Sequence, residues 1–295
     1  MRIAYLPLDS RPCNAVFPGQ LARWSGHSCV VPDKREMDHF AKPARYEDTL
    51  AFLERSAPEA DALVIAIDHL CFGSLLASRQ DDTTLSEAEQ RLAYLRQLHE
   101  RYPQLPIYAY SIMMRSSIST LAAGDWAVYE AMTEYSVYSD RADRYGLNED
   151  RAKAEAARTR IPQAVLERYR RVRQRNHEMN RKCLQMMAEG VFASLALLQE
   201  DSQTYGFHKQ EQRVLLEECR RLQVQNVWIR NGADECGSLT VMKAISRNKP
   251  IELDVVWLGE EDWVALYEDR PFSDNVNNSI AETGLRTRRI HTQPG

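Results

Sequence analysis

No apolar stretch in this chain approaches the roughly 20 residues that a bilayer demands. The opening Met1-Arg2-Ile3-Ala4-Tyr5-Leu6-Pro7-Leu8-Asp9 reaches a proline and an acid too early for a signal peptide. A basic excess is missing as well. Lys and Arg number 38 against 42 Asp and Glu, a net charge of −4, so neither nucleic acid nor an anionic membrane has a global electrostatic handle. The six cysteines, Cys13, Cys29, Cys71, Cys183, Cys219 and Cys236, include no C-x-x-C pair. Scattered singly over a long chain, they make neither a disulfide framework nor a zinc ribbon. Also lacking are the G-x-G-x-x-G dinucleotide fingerprint, the G-x-x-x-x-G-K-[ST] phosphate loop and the G-x-S-x-G nucleophile elbow. These absences lead us to expect a soluble cytoplasmic protein with reduced thiols and no membrane or nucleic-acid partner. They leave its oligomeric state open.

What is present is a chain of 295 residues, 44% apolar and 27% charged, enough for one large α/β domain or two smaller ones. Apolar runs of strand length recur at Ile3–Leu8, Ser28–Val31, Ala62–Ile67, Ile107–Ile112, Ala193–Leu198, Val227–Ile229, Leu253–Leu258 and Thr287–Ile290. Ala62–Ile67 has no polar alternation, as suits a strand covered on both faces. Helical periods lie between them: Leu85–Tyr102, with Leu92, Leu95 and Leu98 at spacing three, then Gln210–Gln223 and Leu239–Arg247. The alternation predicts an α/β fold with a mostly parallel sheet. Eight strands fit a (β/α)8-like barrel; an open doubly wound sheet is the alternative, because the second and last runs are weak.

About eighty residues separate the runs at Ile107 and Ala193, too many for one crossover. They read as a helical insertion, about 122–190, made of Trp126–Tyr138, Asp150–Arg158 and Pro162–Glu189. Pro162 suits the first turn of the last helix and Gly190 its C-terminal cap, with Val165, Tyr169, Val172 and Met179 as its core stripe. Residues 1–259 are expected to form the α/β core. Residues 260–295 begin a further C-terminal α/β segment that looks truncated, since Pro294-Gly295 follows the last strand-like run at once.

Ligands of parallel α/β folds bind beyond the carboxyl ends of the strands, so the residues after each run are the candidates. Those ends carry Asp9 and Arg11, Asp68-His69, Ser111 and Arg115, Glu200-Asp201, Asn231 with Asp234-Glu235, and Glu260-Glu261-Asp262. One carboxyl from each of the Glu200-Asp201 and Asp234-Glu235 loops would make the two-carboxylate pair of glycoside hydrolysis. Helix capping is the plainer use of such acids. The helix from Arg158 to Lys182 holds nine Arg and Lys against Glu167 and Glu178. A solvated face accounts for that, and so does a site wall. Arg173, Asn176, His177 and Asn180 share one helical face, and His177 has the intrinsic pKa of an acid or base near neutrality. Asp9, Asp68, His69, Asp201, His208 and Asp234 are ligand types for a divalent ion, although no ligand-spacing motif joins them.

These segments resemble a bacterial family catalogued as domain of unknown function 4127. The similarity runs through YLPLDSRPCN (Tyr5–Asn14), ADALVIAIDHLCFGSLLASR (Ala62–Arg79), PIYAYSIMMR (Pro106–Arg115) and RQRNHEMN (Arg173–Asn180). It continues through EDSQTYGFHKQEQR (Glu200–Arg213), NGADECG (Asn231–Gly237) and YEDRP (Tyr267–Pro271). The resemblance implies no reaction and sharpens only the location of the site. Glu200 stands where the family usually shows Asp and His208 where Asn is common, which favours Asp201 over both. The expectation is a hydrolase of glycosidase type without a resident cofactor, acting on a small polar, sugar-like substrate. Asp201 and Asp234 would be its catalytic pair, and Asp9, Arg11, Asp68, Arg115, Asn176, His177, Asn231 and Glu235 would hold the ligand. Metal-dependent hydrolysis by the same acids and a non-catalytic binding or scaffold protein are the alternatives.

Overall fold

A computed structural model describes residues 1–116, 125–247, 251–265 and 268–292. Residues 122–124 of the expected insertion, and Tyr267, lie outside the described residues. Each apolar run forms a strand: β1 (Arg2–Leu6), β2 (Ser28–Val30), β3 (Ala62–Ala66), β4 (Ile107–Met113), β5 (Ser194–Gln199), β6 (Val227–Asn231), β7 (Glu252–Trp257) and β8 (Arg286–Thr292). The helices are α1 (Pro12–Ala15), α2 (Phe17–Trp24), α3 (Tyr46–Ser56), α4 (Ile67–Phe72), α5 (Leu75–Ser78) and α6 (Leu85–Arg101). After them come α7 (Trp126–Tyr145), α8 (Asn148–Thr159), α9 (Gln163–Ala188), α10 (Phe207–Leu222), α11 (Cys236–Ser246) and α12 (Phe272–Thr283). Among the described residues no helix is long and apolar enough to cross a membrane.

The first six strands are parallel and lie in the order β2-β1-β3-β4-β5-β6. Of the two arrangements compatible with the sequence, these strands take the open, doubly wound one. Because side chains alternate across a strand, each strand feeds two cores. Ile3, Tyr5, Val64, Tyr110 and Leu198 pack on one face against Ala22 of α2 and Val241, Ala244 and Ile245 of α11. Leu6, Leu63, Ile65, Ala109, Leu195 and Leu197 pack on the other against α3, α4, α6, α9 and α10. The chain leaves β1 towards the first face and β3 towards the second, so the crossovers diverge between these neighbours and open a crevice at their carboxyl ends.

The insertion is helical, as its composition predicts. Helix α7 packs with the first half of α9 around Met114, Ala131, Met132, Leu166, Tyr169 and Val172, and α8 packs against α7. Of the expected stripe, Tyr169, Val172 and Met179 are buried and Val165 is partly so. Gly190 follows α9 with φ +80. Strand β7, which a boundary at 259 assigns to the core, pairs among the described residues with β8 in a separate two-stranded parallel sheet. Its alternation of exposed and part-buried positions suits a strand with one wet face.

Candidate functional site

A polar cleft of about 380 Å³ lies at the carboxyl ends of β1, β4, β5 and β6, with α5 and the residue after it forming part of the wall. Arg11 enters it from the β1 loop, Arg79 from just past α5, Arg115 from the end of β4, and Glu200 and Ser202 from the end of β5. Asn231, Asp234 and Glu235 come from the β6 loop, and Glu268 closes the wall.

Buried Asp9 accepts from Arg11 Nε at 3.0 and 3.1 Å, from Arg11 Nη2 at 2.9 Å and from Asn14 Nδ2 at 2.9 Å. Arg11 Nη2 also donates to Asp234 Oδ1 at 2.7 Å. One guanidinium therefore joins the β1 and β6 loops, and its carboxylate neighbours push its own pKa up against the effect of burial. Arg79 and Glu200, both largely buried, form a second ion pair, and Glu200 accepts the Arg115 N–H at 3.3 Å. Arg115 Nη2 donates to the Tyr129 hydroxyl at 3.0 Å.

Asp201 lies behind this wall. It accepts the Ser116 N–H at 2.5 Å and sits 3.9 Å from Arg115 Nε and 3.6 Å from His208 Nδ1. His208 is itself buried and hydrogen-bonded to the Gln203 carbonyl and the Ser116 hydroxyl, and burial lowers its pKa. Asp68 is in the first turn of α4, sealed from solvent. It accepts the Ile112 N–H at 2.9 Å, and burial pushes its pKa up to about 6. His69 beside it is a structural plug. It meets the Pro7 carbonyl through Nδ1 at 2.7 Å, and burial pushes its pKa down to about 4.

Asn231 is 5% exposed, lines the cleft, and has no protein partner for either side-chain amide atom. Gln199, its register neighbour on β5, is also buried with both amide atoms unpartnered. The turn beyond Asn231 requires Gly232, at φ +112. The Glu235 carboxyl folds back over that glycine, so that a Cβ there would come within 2.6 Å of Oε1. Although Glu235 is exposed as a whole, its carboxyl is drawn from water there, which raises its pKa; Glu268 and Asp234 add to the rise.

The α9 face is not a wall of this cleft. Arg173 is buried, donates to the Met114 and Arg115 carbonyls at 3.1 Å, and pairs with Glu211 at 2.7 Å. It thereby fixes the backbone that carries Arg115. Asn176 donates to the Ser78 carbonyl at 2.8 Å and accepts from Arg175 at 2.9 Å, so it ties α9 to the end of α5. His177 has its pKa pushed down to about 4 by burial and by Arg173 and Arg181, so it does not titrate near neutrality as its residue type suggests. Spacings of three and four put these residues on one face, and that face packs inward.

Of the expected site residues, Arg11, Arg115, Asn231, Asp234 and Glu235 meet in one cleft; Asp9 reaches it through Arg11 and Asp201 through Arg115. Asp68, Asn176 and His177 do not line it. Sequence reasoning missed Arg79, which follows a short helix instead of a strand, and Gln199, which looks like the end of an apolar run. Among the described residues no group of three or more His, Cys, Asp or Glu is arranged to hold a metal ion. Tyr205 packs edge-on against Tyr145.

A family model described as protein of unknown function (DUF4127) matches residues 3–292. No curated protein matches the chain. Among solved structures, the chain is similar at a TM-score of 0.29 and 11% identity to the solute binding protein of a 5-methylthioribose transporter from Thermotoga lettingae, crystallised with 5-methylthioribose. The match covers 83% of this chain and 80% of that one, and at that score it bears on no argument about function.

Proposed function

This chain belongs to the family described as protein of unknown function DUF4127, and we propose that it is a hydrolase of glycosidase type acting on a small, neutral, sugar-like substrate in the polar cleft. The observation that carries this reading is the Asn231 carboxamide, buried at the cleft with both its donor and its acceptor unpartnered. An anion offers only acceptors and an ammonium only donors. A hydroxyl offers both, so it is the group that satisfies a carboxamide completely. The charged lining supports the same choice. Arg11, Arg79 and Arg115 face Glu200, Asp234, Glu235 and Glu268, and the Arg11–Asp234 and Arg79–Glu200 pairs cancel much of what remains. Neither a phosphate nor a polycation gains from such a balance.

Two carboxyls in different surroundings supply the chemistry. Asp234, bonded to the Arg11 guanidinium, is the base or nucleophile. Glu235, whose pKa is raised by burial, is the proton donor to the leaving oxygen. In this reading Asp201 orients Arg115 and Ser116 and does not touch the substrate. The test is a panel of aryl glycosides and aryl phosphates, assayed with and without chelator on wild type, Glu235→Gln and Asp234→Asn. Turnover of a glycoside, unchanged by chelator and reduced by about 10²–10⁴ in either variant, is the expected result. Phosphate release abolished by chelator would replace this reading with metal-assisted hydrolysis. Sugar binding without turnover would replace it with a binding protein.

A further inference from the structure

The polar cleft adjoins a second cavity at two residues that line both. Glu235 and Glu268 also line a space of about 440 Å³ whose remaining walls are mainly apolar. Leu239 and Met242 of α11 form one side, Leu253 and Val255 of β7 the floor, and Val276 and Ile280 of α12 the other side. Polar bonds fix the C-terminal part of α12. Arg230 Nη1 of β6 donates to Ser279 Oγ and to Glu282, both at 2.9 Å, and Ser246 Oγ of α11 bonds the Thr283 carbonyl. They tie that part of α12 to β6 and α11, and the apolar side chains beyond them leave room. Unfilled apolar space forfeits dispersion contacts, which the fold would recover by letting the helices close.

We propose that this second cavity receives the apolar part of the same substrate, which makes the substrate an amphiphile. Its sugar-like head would lie against Asn231 and Arg11, and a short alkyl or aryl group between α11 and α12. Only the polar end rests on the function proposed above. The junction of the two cavities is Glu235, where a proton is needed if the bond to be broken joins head to tail. The anomeric C–O bond breaks with its electron pair on the leaving oxygen. That oxygen takes the Glu235 proton and departs as an alcohol or phenol into the apolar cavity. Water supplies hydroxide to the sugar carbon and its second proton to Asp234, and transfer of that proton back to Glu235 restores both carboxyls.

The experiment compares two probe series by calorimetric titration: n-alkyl glucosides from methyl to octyl, and 1-alkanols from butanol to octanol, which lack the head. The chain is tested as wild type and with the cavity filled by Leu239→Trp or, on the opposite wall, Val276→Trp. Wild-type affinity should rise about fourfold per methylene in both series. Either filled variant should bring that slope below twofold. A slope with alkanols that a glucose head does not improve would keep the apolar site and discard the sugar-like head. A flat alkanol series, or a slope indifferent to both tryptophans, would overturn the proposal. So would sedimentation showing that a second copy of the chain buries the cavity.

Discussion

Gly237 is the second residue of α11, and a methyl group there has nowhere to go. A Cβ would overlap the Tyr5 hydroxyl outright and sit 3.0 Å from Tyr5 Cζ. Tyr5 cannot yield easily. Its ring is fully buried, and its hydroxyl donates to the Asn14 carbonyl at 2.8 Å and lies 3.1 Å from the Tyr110 hydroxyl. Gly237→Ala must therefore lift α11 from the sheet or turn the ring, an overpacking that costs about 3 kcal/mol. Tyr5→Phe alone should cost about 1–2 kcal/mol, because the Asn14 carbonyl loses its donor. In the double variant the overlapping oxygen is gone and the methyl meets Cζ and, at ordinary contact distance, Pro18, so the two losses should fall short of their sum by about 1–2 kcal/mol. Urea denaturation of the four proteins measures the cycle. Additivity within about 0.5 kcal/mol, or a Gly237→Ala variant as stable as wild type, would refute the steric account of how α11 seats beneath the cleft. Because Asn14 also holds Asp9, Gly237→Ala should weaken ligand binding as well.

Other perturbations separate support from chemistry. Asp68 titrates at about 6 in the fold against an ordinary 3.8, so between those values the folded state binds more protons. Its contribution is complete below the lower value and lost as pH rises to the higher, by about 3 kcal/mol in all. Asp68→Asn should flatten that part of the stability–pH curve; an unchanged curve from pH 4 to 6 would contradict the assignment. Arg173→Met leaves Glu211 buried without its partner and should cost about 3–5 kcal/mol in chemical denaturation. A loss below 1 kcal/mol would show that the pair does not hold the Met114–Arg115 backbone.

The strands were legible because a parallel strand buried on both faces is a continuous apolar run, as ALVIA of β3 is. Their pairing was not. Nothing local in Leu253–Leu258 states that β7 bonds to β8, and its one exposed face shows in the burial that alternates from Glu252 to Val256. Helix α2 escaped notice because Pro18 and Gly19 interrupt its period, and α4 and α5 because each is shorter than two turns. The lining of the cleft was legible to the extent that strand ends define it, and Arg11, Arg115, Asn231, Asp234 and Glu235 do line it. Helical spacing identifies which side chains share a face but not what that face meets. For Arg173, Asn176 and His177 the answer is the protein interior.

The buried carboxamides make the strongest case that this fold is shaped around a ligand. Gln199 and Asn231 are register neighbours at the ends of β5 and β6, both buried, and none of their four amide atoms finds a protein partner. Leaving such groups unbonded costs about 1–3 kcal/mol apiece, whereas apolar groups of similar shape carry no such cost. If their purpose lies in the ligand, stability and binding must move in opposite directions when they are replaced. Asn231→Leu should raise the denaturation free energy by about 1 kcal/mol and lower affinity for a hydroxylated probe such as methyl glucoside at least tenfold. Gln199→Met should raise stability similarly, with a smaller effect on binding because Gln199 does not line the cleft. If both replacements destabilise the chain by 1–3 kcal/mol and leave affinity untouched, the two amides belong to the architecture of the sheet ends, and the polar-ligand reading loses its main support.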